Sequence, residues 1–167
     1  GFEQFSAGLL DETPFELLPS DLHAPPIHTK TWFHTGLMER DGVLSRQYEA
    51  DYYGGDGQAL DLADSNFERA GDAVSVQVAY RALRGKTLRQ EIYGDDDDAQ
   101  RQPHPYQVTE TAYRLRLIQP TQGPHRSVYL PLQREQIVYQ YDRDPADPRI
   151  THNFHLVYDD YGQLTRE

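Results

Sequence analysis

Glu91 and Glu110 are the residues of this chain best placed by type to do chemistry. Two carboxyls held a fixed distance apart are the acid and base, or acid and nucleophile, of glycoside hydrolysis. Long strands carry outward-facing Glu routinely, however, and no pocket-forming pattern accompanies these two. Asp95-Asp96-Asp97-Asp98 offers the oxygen ligands that Ca²⁺ takes. Four adjacent carboxylates repel one another, and no Gly-bearing loop closed by a Glu follows, so a solvated loop is expected. His152 and His155 suggest a metal pair, but in a strand an offset of three places them on opposite faces. His28 and His34 share a face in an unbroken strand but lie about 20 Å apart along it. Sheet or surface histidines are the expectation for all four. Ser75 and Ser127 sit in no nucleophile elbow. Gly54-Gly55-Asp56-Gly57 is too short for a phosphate loop. Trp32-Phe33 has the makings of a sugar platform, but an aromatic pair in a strand is more often core. No catalytic, cofactor-binding or metal-ligating residue is assigned, no cofactor is called for, and an enzyme is not expected.

The elements that carry these residues read as mainly β. The chain divides at about residue 26. Residues 1–25 have no sustained period and form an irregular N-terminal segment; residues 26–167 form a β-rich domain. Pro25-Pro26 is a stiff spacer. A strand is predicted over Ile27–His34, ending at Gly36. Residues 36–57 read as loop, with one helical turn near Glu49. Leu60, Leu62, Ala63 and Phe67 fall at helical spacing, predicting a short helix over 58–70. A second helix is predicted over 72–84, from Ala79, Ala82 and Leu83, with Asp72 as its cap and Gly85 as its stop. Thr87–Tyr93 is a strand, followed by a polar loop over Gly94–Pro105. Tyr106–Gln119 and Arg126–Tyr141 are long strands. In each, the apolar set switches from even to odd positions, which predicts a β-bulge, in the first near Thr109–Ala112. Pro131 marks a bulge or an edge. After the rigid Asp144–Pro148 turn, Ile150, Phe154, Leu156 and Tyr158 alternate as in a half-buried strand, with Val157 the apolar exception. Tyr158-Asp159-Asp160-Tyr161-Gly162 is a turn before a short restart at Leu164-Thr165. Consecutive long strands with short turns make an antiparallel meander.

Composition narrows the partners. The 167 residues carry a formal charge of −11, from 27 acids against 16 bases. Nucleic acid and anionic membranes, which attract clustered Lys and Arg, are excluded as partners of this segment. There is no cysteine, so disulfides, thiolate metal sites and cysteine nucleophiles are out. No apolar run reaches the length of a membrane span. The chain opens Gly1-Phe2-Glu3, without Met or a signal-peptide pattern, and reads as a fragment of a longer polypeptide.

A strand ending in Tyr158-Asp159, a Gly162 turn and a Leu164-Thr165 restart resembles one unit of a tyrosine-aspartate (YD, Rhs-type) repeat. Four blocks in order resemble the B component of insecticidal toxin-complex (Tc) toxins, the SpvB-related proteins. They are Thr29–Gly36 (TKTWFHTG), Arg81–Tyr93 (RALRGKTLRQEIY), Pro105–Glu110 (PYQVTE) and Tyr139–Ile150 (YQYDRDPADPRI). Residues 37–71 and the acidic loop match nothing in the pattern. The resemblance implies a segment between the family's β-propeller and its main YD repeats, in a curved sheet of the YD/Rhs-type shell. It implies a structural role: the secreted B and C components form a β-shell around the toxic C-terminal part of C, and the A component then translocates that cargo. The implied partners are the rest of its own chain, the C component with its cargo, and the A-component channel. Gln107, Thr109 and Thr111 alternate on one face and would line the lumen. The alternative readings are a small β-rich carbohydrate- or calcium-binding module and a hydrolase fragment using paired carboxylates.

Overall fold

The computed structural model describes residues 26–37, 44, 47–60, 62–67, 73–96 and 98–167. The predicted irregular segment 1–25 and the Asp72 cap lie outside them. The described chain is mostly antiparallel β, as its periods require. Its main sheet contains β1 (Ile27–Phe33), β2 (Asn66–Phe67), β3 (Thr87–Gly94), β4 (Gln107–Gln119), β5 (Val128–Gln140) and β6 (Arg149–Phe154). The strand order is β1-β3-β4-β5-β6, every pair antiparallel, with the two-residue β2 added parallel to β4. One α-helix, α1 (Ala73–Ala82), precedes β3, and Glu49–Asp51 forms a 3-10 turn where one helical turn is expected. The Tyr-Asp turn closes a separate hairpin of β7 (Val157–Tyr158) and β8 (Leu164–Arg166).

The predicted helix over 58–70 is not formed. Its described residues are a turn and irregular chain that ends in β2, paired with Arg114 and Leu115 of β4. Leu62 packs with the Val108–Tyr139 cluster, while Phe67 packs with the helix-side cluster. One helical face cannot reach both. Side chains also compete for the local backbone here: Asp64 accepts from Leu44 N at 2.7 Å, and Ser65 Oγ accepts from Tyr113 N at 2.9 Å.

The parity switch in the long strands has a different cause in each. On β4 no residue is inserted between Gln107 and Leu117, so Val108 and Leu115 point to opposite faces. Val108 joins Ile137, Tyr139 and Tyr141 in one core; Tyr113 and Leu115 join Ala79, Tyr80, Leu83 and Tyr129 in another, under α1. The bulge lies on β5 instead. Ala112 pairs with Glu135 and Tyr113 with Gln133, leaving Arg134 as the extra residue. That extra residue keeps Leu132 and Leu130 on the face of Ile137 and Tyr139. Pro131 is not bulged. It stays opposite Leu115, in the half of β5 beyond Glu135 that has no β6 partner, where a missing N–H is tolerated.

The bulge also ends β6. His155 N donates to Arg134 O at 2.8 Å and Leu156 N to Arg166 O at 3.0 Å, so the chain leaves the sheet for the β7–β8 hairpin. The strand predicted through Tyr158 is therefore broken at His155. The hairpin grips what it covers. Tyr158 Oη donates to Gln133 O at 2.5 Å, and Arg116 donates to Asp159 O at 2.6 Å. Asp159 Oδ1 accepts from Tyr161 N and Gln163 N, which shapes the turn. Gly162 packs against Leu130 and Leu132.

Helix α1 stops where its sequence says. Gly85 takes φ +78°, and its N–H donates to His34 O at 3.0 Å, while His34 N donates to Lys86 O at 2.9 Å. These two bonds stitch the helix end to the end of β1. Gly36, at φ +75°, lies against it, and a Cβ there would meet Arg84 Cβ at 2.8 Å, whereas one at Gly85 meets nothing within 4 Å. Gly85→Ala is expected to lower stability by about 1 kcal/mol from backbone strain alone, and Gly36→Ala by about 3 kcal/mol. Urea unfolding of the two variants checks this; equal losses would show that the Gly36 contact is relaxed at no cost.

Candidate functional site

The polar groups of the chain converge on one face of β3 and β4. Arg89 and Glu91 alternate onto the same side of β3, with Glu110 opposite Arg89 on β4. Glu91 is fully buried. Its carboxylate accepts from Arg89 Nε at 2.7 Å, Tyr53 N at 2.8 Å and Tyr93 Oη at 2.6 Å. Arg89 also ion-pairs with Glu110, donates to Tyr53 O at 3.4 Å and stacks 4.8 Å over the Tyr52 ring. The irregular segments 47–60 and 62–65 thus lie over the sheet with their backbone tied to sheet side chains. Tyr139 Oη bonds both N and O of Leu60, and Arg134 donates to Ala63 O and Asp64 O. Between this segment and the sheet is a cleft of about 400 Å³, walled by Tyr52, Tyr53, Tyr139 and Tyr141 and floored by Arg89 and Glu110. Burial raises the pKa of each of these tyrosines, and for Tyr141 the hydrogen bond to Asp56 adds to it.

Glu91 and Glu110 are therefore brought together, but by one shared guanidinium. Glu91, without exposure and with three donors, has no path to a substrate. The Asp run is divided among separate partners. Asp95 bonds His28 at 2.8 Å, Asp96 holds Arg143 in a two-point ion pair, and Asp98 accepts from Gln100 N and Arg101 N. The Arg143 hydrogen bonds hold the Asp96 carboxyl below the usual range. Asp97 lies outside the described residues. Among the described residues no group of three or more His, Asp or Glu is arranged to hold a metal ion.

The histidines are dispersed. His152 bonds Glu135 at 2.9 Å; His155 bonds Tyr158 Oη at 2.9 Å. His28 and His34 do not share a face. A register shift between Trp32 and Phe33 intervenes, and His34 turns into the α1 core, its ring 5.8 Å from Tyr113. Neither ring nitrogen of His34 has a hydrogen-bond partner among the described residues, and burial lowers its pKa from 6.5 to about 4. Trp32 and Phe33 are not core: Trp32 meets the Tyr52 edge at 5.2 Å and Phe33 is 48 % exposed. Ser127 is buried, and Gly54 and Gly57 line the cleft. The side chain of Ser75 lies outside the described residues. The sequence reading missed Arg89, Tyr53 and Arg134. The alternation Arg89-x-Glu91-x-Tyr93 was the available signal for the first.

These features define a sheet segment of a larger β structure, whose polar clusters are spent on holding an irregular covering segment and two flanking turns. Residues 78–167 match the family model of the insecticide toxin TcdB middle/C-terminal region. The chain belongs to that family and is a segment of a Tc-toxin B component. It is 32% identical to the crystal structure of TcdB2–TccC3, with a TM-score of 0.72 over 84% of this chain. It is 31% identical to that of TcdB2–TccC3–Cdc42, with a TM-score of 0.71 over 87%. Against the Tc holotoxin pore of Photorhabdus luminescens, carrying a TccC3 mutation, identity is 30% and the TM-score 0.66 over 84%. The chain spans 7% of the length of each of these structures' chains. No curated protein matches it. The antiparallel shell-type fold and the toxin-complex membership expected from the ordered blocks both hold.

Glu91→Ala is expected to cost about 3–5 kcal/mol, because it leaves Arg89 buried beside Glu110 and frees Tyr53 N. Guanidinium unfolding measures this; a loss below about 1 kcal/mol would show that the covering segment does not depend on the pair. His34 sets a pH dependence. Its folded pKa, about 4, lies below its unfolded value of 6.5. Its contribution is therefore complete above pH 6.5, falls as pH drops towards 4 and levels off below that. On the order of 3 kcal/mol separates the ends. Unfolding curves across this range should lose that slope in His34→Phe, and an unchanged slope would assign it to other groups.

Proposed function

We propose that this segment is a non-enzymatic part of the β-shell that encloses the toxic C-terminal part of the C component, in a secreted toxin whose A component then translocates the cargo. The relatives support the reading: two are complexes of TcdB2 with TccC3, and a third is the holotoxin pore. The observation that carries it is the face of the sheet opposite Glu91. In register across it stand Thr31, Gln90, Thr109, Val138 and Thr151, with Thr111, Gln136 and Asn153 in the row on one side and Thr29, Gln107 and Gln140 in the row on the other. Among the described residues of these rows, Ile27, Ile92, Val138 and Arg149 interrupt the uncharged polar set between β1 and β6. Such a face suits a wall that holds a non-native chain without trapping it, since it offers no large apolar patch. Among the described residues no helix is long and apolar enough to cross a membrane.

The remainder of the B component is the nearest partner. Ile150, Phe154 and Leu156 are 48 %, 47 % and 49 % exposed, and the outer edge of β6 has no strand partner among the described residues. An unpaired edge beside half-covered apolar side chains calls for a further strand. Of the lining candidates, Gln107 and Thr109 remain; Thr111 is 5 % exposed and accepts from Gln136 Nε2. The triple change Gln107→Leu, Thr109→Leu and Gln136→Leu in the full B component is expected to slow cargo release while leaving the unfolding midpoint of the B–C complex unchanged. Release at the wild-type rate, or a structure with these side chains on the outside of the shell, would defeat the lining assignment.

A further inference from the structure

His34 is a buried titratable group that the shell reading leaves unused, and it stands at a seam. Its backbone makes both bonds between the end of β1 and the end of α1: Gly85 N donates to His34 O at 3.0 Å, and His34 N donates to Lys86 O at 2.9 Å. Its ring is buried beside Tyr113, and neither nitrogen has a hydrogen-bond partner among the described residues. A neutral imidazole there leaves one N–H unmet; an imidazolium leaves two and adds a charge. The surroundings do not receive that charge. Tyr113 Oη, from β4, donates to Thr87 O at 3.0 Å, and Tyr80, from α1, shares the core as a phenol that burial keeps protonated. Asp64, from the covering segment, is an acid whose charge reaches the ring, but its two carboxylate oxygens accept from Leu44 N and Ser65 N. The remaining charged neighbours are cations. Arg81 and Arg84 of α1 lie against Gly36, two residues beyond His34, and Lys86 follows the helix; all three are exposed. Little else retains β1. Among the described residues it pairs with β3 alone, and Ile27 and Phe33 leave much of their apolar surface in water. An edge strand with few buried apolar contacts opens more easily than the strands inside the sheet.

We propose that the β1–α1 seam is a proton-operated latch: when His34 takes a proton from solvent its ring leaves the core, the two backbone bonds break, and the end of β1 with residues 34–37 parts from α1 while β3–β6 stay paired. Global unfolding exposes every strand together; the latch opens one seam and uncovers the core at Tyr113 and Leu83. Burial holds the ring of the closed seam near pKa 4, whereas the ring of the open seam regains the ordinary 6.5. The closed form therefore loses ground as pH falls from 6.5 and no further below 4. The open fraction rises about tenfold per pH unit across that range, about 300-fold in all. The inference does not rest on the shell reading, and its test can fail without touching it.

Hydrogen exchange of the full B component, read by mass spectrometry between pH 7 and pH 4 and corrected for the intrinsic exchange rate at each pH, tests the latch. Peptides that carry the amides of His34, Gly85 and Lys86 are expected to lose protection about tenfold per pH unit below 6.5, while peptides from the paired stretch of β4 and β5, Val108–Ala112 and Glu135–Tyr139, keep theirs. In His34→Phe the seam should hold the same protection at every pH. If that variant does not fold, His34→Gln, whose amide stays neutral, takes its place. The comparison of seam with β4 and β5 in the unmodified protein stands without either variant. Seam protection that does not change with pH, a loss shared equally by β4 and β5, or the same loss in a folded His34 variant overturns the proposal.

Discussion

The buried carboxylate of Glu91 is the constraint on which the rest of this segment depends. A charge taken fully out of water is tolerated only when its neighbours replace the lost hydration. Here they are Arg89, Tyr93 and the backbone of Tyr53. The third partner matters most for architecture, because it belongs to an irregular segment. A loop laid over a sheet brings backbone N–H and C=O groups with no ladder to join. Glu91 and Arg89 supply an acceptor and a donor to Tyr53, Tyr139 supplies both to Leu60, and Arg134 supplies donors to Ala63 and Asp64. The segment is therefore held by side chains of the strands beneath it, and the ion pair and the loop stabilise each other.

The same economy governs the bulge. One extra residue on β5 does three things at once. It keeps Leu130 and Leu132 on the face that the β7–β8 hairpin covers, it aims Arg134 at the covering segment, and it leaves Gln133 O and Arg134 O for Tyr158 and His155. The Tyr-Asp pair then has a physical meaning in this chain. Tyr158 reaches back to a carbonyl beside the bulge, and Asp159 folds the turn that lets it do so.

What the sequence made legible was period and punctuation. The strands at Ile27, Thr87, Tyr106 and Arg126, the helix stopped by Gly85 and the Tyr-Asp hairpin all rest on local pattern, and all are present. The failures share a cause in tertiary competition. Leu60, Leu62 and Phe67 have helical spacing, yet the β4 edge beyond β3 needed a partner, and Asn66-Phe67 took it. The parity switch correctly announced a change, but from one strand it does not say whether the chain bulges or a second core lies on the other face. β5 took the first solution and β4 the second. The cleft was illegible because its walls come from Tyr52, Arg89 and Tyr139, which no spacing rule connects.

Under the proposed shell role, the two faces of the sheet would make a thin wall both stable and unreactive. On the Glu91 face, burial and ion pairing supply stability. On the opposite face the side chains largely satisfy one another. Gln107 bonds Thr109 at 3.0 Å, Gln136 bonds Thr111 at 3.3 Å and Gln90 bonds Thr31 at 3.4 Å. Amides and hydroxyls paired along and across strands leave few unmet donors for a passing chain, and carrying no charge they exert no long-range pull on it. A charged lining would bind opposite charge and repel like charge; an apolar one would invite collapse onto it. A ladder of Thr, Gln and Asn avoids all three outcomes, which is a reason for a sheet to keep its charges on one side and its neutral polar groups on the other.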